Sequence, residues 1–157
     1  MQTQLMSINR RELASLLSVK MHSSSGQHHL FVSSTDSSVF FPFNAPCDFQ
    51  IELSEALHLN GRWTCALLEI AFKEEISEDI IVLTDFIEGS YIHNTRLSVL
   101  RVIPQTNHKV FTFSEPFRFA ISRDEVKRFR IFIRTRDLQE PSFIQKPVTC
   151  TLQLTRD

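Results

Sequence analysis

Glycine is scarce in this sequence, with only three residues in a chain of 157. Loops that bind phosphates or dinucleotides need several glycines, because their backbone must approach the phosphate closely. No P-loop, G-x-G-x-x-G or G-x-S-x-G pattern occurs. The sequence therefore argues against a glycine-built nucleotide site, and we expect a protein that is not an enzyme and uses no cofactor.

Cysteine is equally sparse. Cys47, Cys65 and Cys150 form an odd set without C-x-x-C spacing, which argues against a disulfide framework or a zinc knuckle and favours reduced, mostly buried thiols. The six histidines have neither H-x-x-x-H nor H-E-x-x-H spacing, so we expect no metal site. A Cys–His dyad, whose partners would meet only in space, stays open as a catalytic alternative.

Long apolar runs are also missing. No stretch approaches the roughly 20 apolar residues that cross a bilayer, and residues 1–11 are polar and charged where a signal peptide needs an apolar run. We therefore expect synthesis inside the cell, without a secretion signal or a membrane anchor. The formal net charge is −1, which makes nucleic acid an unlikely partner because no overall attraction to phosphates exists.

Phenylalanine is abundant, with 14 residues against one Trp and one Tyr. Short apolar or alternating runs separated by turn residues predict an all-β fold. The predicted strands are 30–33, 39–43, 49–53, 63–72, 80–85, 96–103, 110–113, 117–121, 129–136 and 148–155, with a turn at Asn60-Gly61. We expect an antiparallel two-sheet sandwich in residues 29–157, and a single jelly roll of about eight strands fits this number.

Residues 1–28 are predicted to form an N-terminal arm and linker. A capping box at Asn9 and Glu12 precedes apolar residues at helical spacing, which predicts a short amphipathic helix. Its proposed docking residues are Leu13, Leu16 and Leu17. The Ser-rich stretch 23–27 is interpreted as a flexible linker. The arm docks either on its own sandwich or on a neighbouring subunit, and the sequence leaves both open.

Arginines are concentrated on one predicted strand. Period-two geometry places them on one face around a phenylalanine, while Phe129, Ile131 and Ile133 face the core. We predict an interaction face composed of Arg128, Arg130, Phe132, Arg134 and Arg136. The alternative is a solvated outer face. Four arginines on one face would repel one another unless counter-charges lie opposite them. A complementary acidic patch is predicted at Glu74, Glu75, Glu78 and Asp79.

Three stretches carry a family resemblance: Phe-Pro-Phe-Asn at 41–44 before Asp-Phe-Gln-Ile at 48–51, Leu-Asn-Gly-Arg-Trp at 59–63 before Ala-Leu-Leu-Glu-Ile at 66–70, and Ile-Val-Leu-Thr-Asp at 81–85 with Leu-Ser-Val-Leu-Arg-Val-Ile at 97–103. In this order they resemble single-jelly-roll minor capsid proteins, including penton-type vertex proteins, of Maverick/Polinton-like elements and related double-stranded DNA viruses. Thr64-Cys65 and Glu88-Gly89-Ser90 depart from the family pattern. The resemblance covers residue 40 to the C-terminus.

The resemblance implies a structural protein of the virion that forms a ring with copies of itself, preferably a pentamer, and contacts other capsid subunits. Two alternatives are a capsid cement protein and a β-sandwich binding module, such as a spike or receptor-binding head. A third is an oligonucleotide or phosphate binder that uses the arginine face and Phe132.

Overall fold

The computed structural model describes residues 21–24, 26–92 and 94–157. This part of the chain contains no helix, hence none that could cross a membrane. The strands are β1 (Met21–Ser24), β2 (Gln27–Ser33), β3 (Asp48–His58), β4 (Trp63–Ala71), β5 (Ile80–Thr84), β6 (Ser90–Ile92), β7 (Thr95–Leu97), β8 (Val99–Ile103), β9 (Val110–Thr112), β10 (Arg118–Ala120), β11 (Glu125–Thr135) and β12 (Thr149–Arg156).

Two antiparallel sheets form a sandwich, which confirms the predicted all-β class. Sheet A has the order β1-β2-β12-β4, and both β9 and β10 pair with the far edge of β4. Sheet B has the order β3-β11-β5-β8. Strands β6 and β7 form a separate hairpin. Strand β4 has hydrogen-bonded neighbours on both sides, so it is an inner strand of its sheet. Its apolar sequence predicted this position.

The core lies between the sheets and follows the period-two pattern. Phe49, Ile51 and Leu53 of β3 are fully buried, whereas the residues between them are more exposed. Phe129 of β11 meets Phe86 edge to face, with ring centroids 5.1 Å apart. Each fully buried side chain of this size contributes roughly 1.5–3 kcal/mol to stability. The interior is mainly aliphatic, and Phe49, Phe72, Phe86 and Phe129 are the phenylalanines buried in it.

Strand β5 is buried along its whole length because both of its faces are covered. On the face away from the main core, Ile81 and Leu83 form a second apolar cluster with Val99. The β6–β7 hairpin covers this cluster through Ile92 and Leu97. Part of the outer face of sheet B is therefore closed by the chain itself.

One strand prediction is wrong, and a second is confirmed only in part. Residues 39–43 form turns, in which the amides of Phe40 and Phe41 both donate to the Ser37 carbonyl, at 3.0 and 2.9 Å. The predicted strand 96–103 is interrupted at Ser98, whose hydroxyl donates to the Ile87 carbonyl at 3.0 Å. The second half of that range is β8, and the first half belongs to the hairpin.

The linker prediction is also corrected. β1 pairs with β2 in register from Met21 opposite Leu30 to Ser24 opposite Gln27. Gly26 in the connecting turn has φ 85°, a left-handed conformation that glycine adopts without steric cost. Part of the range predicted as arm and linker, 1–28, is thus an edge of sheet A. The predicted arm helix lies outside the described residues.

Candidate interaction surface

Strand β11 places the arginine row on the outer face of sheet B. Arg128, Arg130, Phe132 and Arg134 alternate with the buried residues Phe129, Ile131 and Ile133, as the period-two pattern predicted. The guanidinium carbons of Arg130 and Arg134 lie 4.7 and 5.4 Å from the Phe132 ring centroid. The ring therefore separates two cations and attracts both. Arg136 lies in the turn beyond β11, so its predicted place on the strand is wrong.

Counter-charges for this row come from the same molecule. Glu52 is directly opposite Arg128 on β3 and forms an ion pair with it. Asp48 accepts from two arginines: Arg130 Nε donates to Oδ1 at 2.6 Å, and Arg134 Nη2 donates to Oδ2 at 2.8 Å. The row is thus largely neutralised, which relieves the repulsion expected of it.

The electrostatics of Asp48 reflect two opposing effects. Burial alone would raise the pKa of its carboxyl group. The hydrogen bonds and charges of Arg130 and Arg134 outweigh that effect and hold the pKa below its ordinary value. The hydrogen bond to Asp48 in turn raises the pKa of Arg130. Asp48 therefore stays ionised and anchors the centre of the row.

The predicted acidic patch does not act as one surface. Asp79 pairs with Arg136, Nε to Oδ2 at 2.6 Å, and accepts the Gln105 amide at 2.8 Å. The amide bond and then the arginine lower the pKa of Asp79. Glu74 instead accepts the amides of two residues in the loop before β12. Only Glu75 and Glu78 of the patch are exposed.

Beside the arginine row lies an exposed apolar segment, which we call the aromatic loop (residues 39–44). Phe43 is 97% exposed, and Val39 and Phe40 are 48% and 39% exposed. The guanidinium of Arg128 lies 6.0 Å from the ring of Phe41, which joins the loop to the row. Contiguous exposed apolar groups of this kind mark interaction sites in soluble proteins.

The loop is fixed along the edge of β3 by side chains that act like a neighbouring strand. The Asn44 amide donates to the Gln50 carbonyl at 2.8 Å and accepts the Gln50 amide at 2.8 Å. Two residues farther along the edge, Ser37 Oγ accepts the Glu52 amide at 3.0 Å. These bonds satisfy an edge strand that would otherwise invite pairing with another chain.

A groove of about 500 Å³ lies between the aromatic loop and the arginine row. Its apolar wall is the loop itself, and its polar wall comprises Asp48, Gln50, Arg130 and Glu140. Such a combination can accommodate an apolar side chain and pair a charge at the rim. We regard the loop, the groove and the row together as the candidate interaction surface.

Sequence reasoning predicted the row but missed the loop. Residues 39–43 look like a strand because they are apolar, and that interpretation implied burial. The overlooked signal was local: Pro42 lacks an amide hydrogen, and Asn44 is suited to bonding a nearby backbone. The predicted docking residues of the arm lie outside the described residues; they are Leu13, Leu16 and Leu17.

The three cysteines are buried and are poorly suited to act as nucleophiles. All three cysteines are free and buried, as predicted. Burial raises the pKa of Cys47 to about 12 and raises the pKa of Cys65 and Cys150 as well. Thiols of this kind are poor nucleophiles at neutral pH. Within residues 21–24, 26–92 and 94–157, no group of three or more His, Cys, Asp or Glu side chains could hold a metal ion.

Comparison with known proteins adds no family: no protein-family model matches the chain, and no curated protein matches it.

Proposed function

We propose that this protein is a structural subunit of a virus particle, a minor capsid or penton-like vertex protein that forms a ring with copies of itself. The observation that carries the proposal is the aromatic loop, fixed rigidly to β3 and yet exposed to solvent. Burying such phenylalanines against a neighbour would drive association, since aromatic side chains dominate the energetics of interfaces. The family resemblance of the sequence motifs supports a capsid setting for that association.

We further propose that the sandwich is a single jelly roll, and the strand order supports this. We count β9 and β10 as one interrupted strand and treat β1 and the β6–β7 hairpin as additions. The eight remaining strands, numbered along the chain, then have the order 1-8-3-6 in sheet A and 2-7-4-5 in sheet B. Strands next to each other in sequence thus lie in opposite sheets, except that strands 4 and 5 pair with each other in sheet B, in the manner of two nested Greek keys.

Charge would set the register of the contact rather than drive it. Arg128 retains 66% side-chain exposure despite its pairing with Glu52. The exposed Glu75 and Glu78 are available as partners for such an arginine on a neighbouring copy. A basic site on one subunit that meets an acidic site on the next is a heterologous contact, and such contacts close into rings when the rotation permits.

The choice of test variants follows from the geometry. Replacing Arg130 and Arg134 by Glu would place two carboxylates beside Asp48 and disturb the fold itself. Phe40→Ser with Phe43→Ser is the better variant, because both rings are exposed. We expect this variant to fold like the wild type and to sediment as a monomer where the wild type forms an oligomer. Tyr91→Ser, 75% exposed on the β6–β7 hairpin, is the matched control and should assemble normally.

The groove also supports a second function, a binding head on a spike, because it can accept a foreign side chain as well as one from a subunit. The two proposals differ in the number of subunits. A trimer would favour the spike head, and a pentamer would favour the vertex ring. A protein that is monomeric alone but binds preformed capsid subunits would fit the cement role.

A further inference from the structure

We propose that Arg101 of one copy of the chain binds the Glu140 carboxylate at the groove of a neighbouring copy. In this contact Phe117, which lies beside Arg101, packs against the aromatic loop of the neighbour. The inference rests on the proposed function, since it names the surface of the next subunit that the loop and the groove contact. The partner at the groove is therefore a second copy that presents an aromatic ring together with a cation.

Arg101 is held between two phenyl rings at one side of the sandwich. Its guanidinium carbon lies 4.1 Å from the ring centroid of Phe113 and 4.4 Å from that of Phe117. Phe113 directly follows β9 and Phe117 directly precedes β10, so both rings come from sheet A, whereas Arg101 belongs to β8 of sheet B. Arg101 is opposite Val82 of the main core, so its side chain lies on the inner face of sheet B. Stacking on both faces leaves only the edge of the guanidinium for a partner.

Arg101 has no counter-charge in the part of the chain that the structure describes. Its side chain forms no hydrogen bond or ion pair there, and its Nη1 is buried without an acceptor. The Nε–Nη2 edge, by which Arg130 binds Asp48, has no acceptor at Arg101. A guanidinium fixed by stacking is suited to bind a carboxylate through two parallel hydrogen bonds. Other arginines of the described part without an acidic partner are all exposed; they are Arg62, Arg96 and Arg156.

The groove at the opposite edge of sheet B has the complementary charge. The strand order β3-β11-β5-β8 places Arg101 at one edge of the sheet and the β3 edge, which holds the aromatic loop, at the other. Glu140 is exposed at the groove, and its side chain has no hydrogen-bond or ion-pair partner among the described residues. Phe117 is 61% exposed beside the unpaired Arg101. Each surface thus combines exposed phenylalanine with one unpaired charge, and the two charges are opposite.

The positions of the two surfaces favour a contact between copies. Arg101 and Glu140 belong to opposite edges of one sheet, so they do not satisfy each other within a chain. A contact between unlike surfaces is heterologous and closes into a ring when the rotation permits. Burial of Phe117 against the aromatic loop supplies the apolar part of the contact. The ion pair fixes its register, because any other register would leave both charges unpaired in a desolvated interface.

Charge reversal and its rescue test the contact in the full-length protein. We expect Glu140→Arg to fold like the wild type, because the residue is exposed, and to weaken association in sedimentation equilibrium by at least about tenfold. Arg101→Glu should weaken it likewise. The two substitutions in one chain should restore the wild-type mass, because opposite charges again meet between copies. Asp124→Arg is the matched control, an exposed charge reversal directly before β11, and should assemble normally.

A milder pair of variants covers the case in which a carboxylate between the two rings disturbs the fold. Arg101→Met keeps an apolar side chain between the rings, and Glu140→Gln keeps the shape of the side chain without its charge. We expect each to weaken association by about fivefold or more. The double variant should associate no more weakly than the weaker single variant, because both residues act through one interaction.

The possible results separate this contact from the ring itself. Effects of Arg101→Met and Glu140→Gln that multiply in the double variant would overturn the inference and leave the proposed ring intact. A Glu140→Arg protein that assembles like the wild type would do the same. A wild type that remains monomeric would instead contradict the ring and this contact together.

Discussion

Asp48 and Arg130 join β3 to β11 through a two-pronged ion pair, in which Nε and Nη2 of the arginine both donate to the carboxylate. Arg134 donates to the same carboxylate, so one carboxylate pairs with two guanidinium groups beside the ring of Phe132. The arginine row is therefore a network closed within one molecule, with little free charge to attract a partner. In the assembly that we propose, association therefore depends chiefly on the aromatic loop beside the row.

Removal of the Asp48 charge should destabilise the sandwich. In Asp48→Asn, Arg130 and Arg134 lose their shared counter-charge while remaining close to each other. We expect the free energy of unfolding to fall by about 1–3 kcal/mol, the usual cost of leaving charged hydrogen-bonding groups unsatisfied. Urea denaturation at neutral pH measures it. Glu125→Gln, which disrupts the exposed pair with His58, should change stability by under about 1 kcal/mol. Equal effects of the two substitutions would contradict the central role of Asp48.

The same residue predicts how stability depends on pH. Because the pKa of Asp48 is lower in the folded protein than its unfolded value of about 3.9, the folded state binds fewer protons in this range. Its contribution is fully present above about pH 5 and is lost as the pH falls through the folded pKa. The difference in unfolding free energy between the wild type and Asp48→Asn should thus be constant from pH 7 to 5 and shrink below about pH 4. A difference that grows on acidification would show that the pKa is raised instead.

Phenylalanines of the core and of the loop should respond very differently to truncation. Phe129 is fully buried against Phe86, so Phe129→Ala should cost about 3–5 kcal/mol. Phe43 is almost fully exposed, so Phe43→Ala should leave stability within about 0.5 kcal/mol of the wild type. Thermal or urea unfolding of both variants tests the assignment. A large loss on truncating Phe43 would mean that its ring packs against the rest of the chain.

Asn44 should control the order of the aromatic loop. Asn44→Ala removes both bonds to Gln50 and leaves the edge of β3 open. We expect a loss of about 1–2 kcal/mol, because two backbone groups lose their partner, and faster hydrogen exchange at the Gln50 amide. Asn107→Ala, at an exposed turn position, should alter neither quantity. Unchanged protection of the Gln50 amide would show that the Asn44 hydrogen bonds do not hold the loop to β3.

How much of the fold and of the interaction surface could be predicted depends on how far apart in sequence the interacting residues lie. The alternation around Phe129 and Ile131 is a local property, and it correctly predicted which face of β11 is buried. The pairing of Arg130 with Asp48 joins residues 82 positions apart, and no pattern in one strand determines the register of its neighbour. The sequence analysis therefore identified the arginines but not their counter-charges.

The aromatic loop shows a second limit. Val39 and Phe40 have the composition of a strand, which led to the wrong prediction. Turn hydrogen bonds to Ser37 and the side-chain hydrogen bonds of Asn44 to β3 compete with strand pairing here. The sequence analysis also did not predict that the β6–β7 hairpin covers Ile81 and Leu83. A fully apolar strand indicates burial on both faces but does not reveal that a distant hairpin supplies the second cover.

The mass of the full-length protein in solution tests the central claim most directly. Light scattering after size exclusion, at two salt concentrations, compares the particle with the 18.2 kDa monomer. Five copies in a ring would give about 90 kDa. In the proposed contact apolar burial rather than charge drives association, so raising the salt should not dissociate the ring. An 18.2 kDa monomer at both salt concentrations would contradict a subunit that assembles with itself.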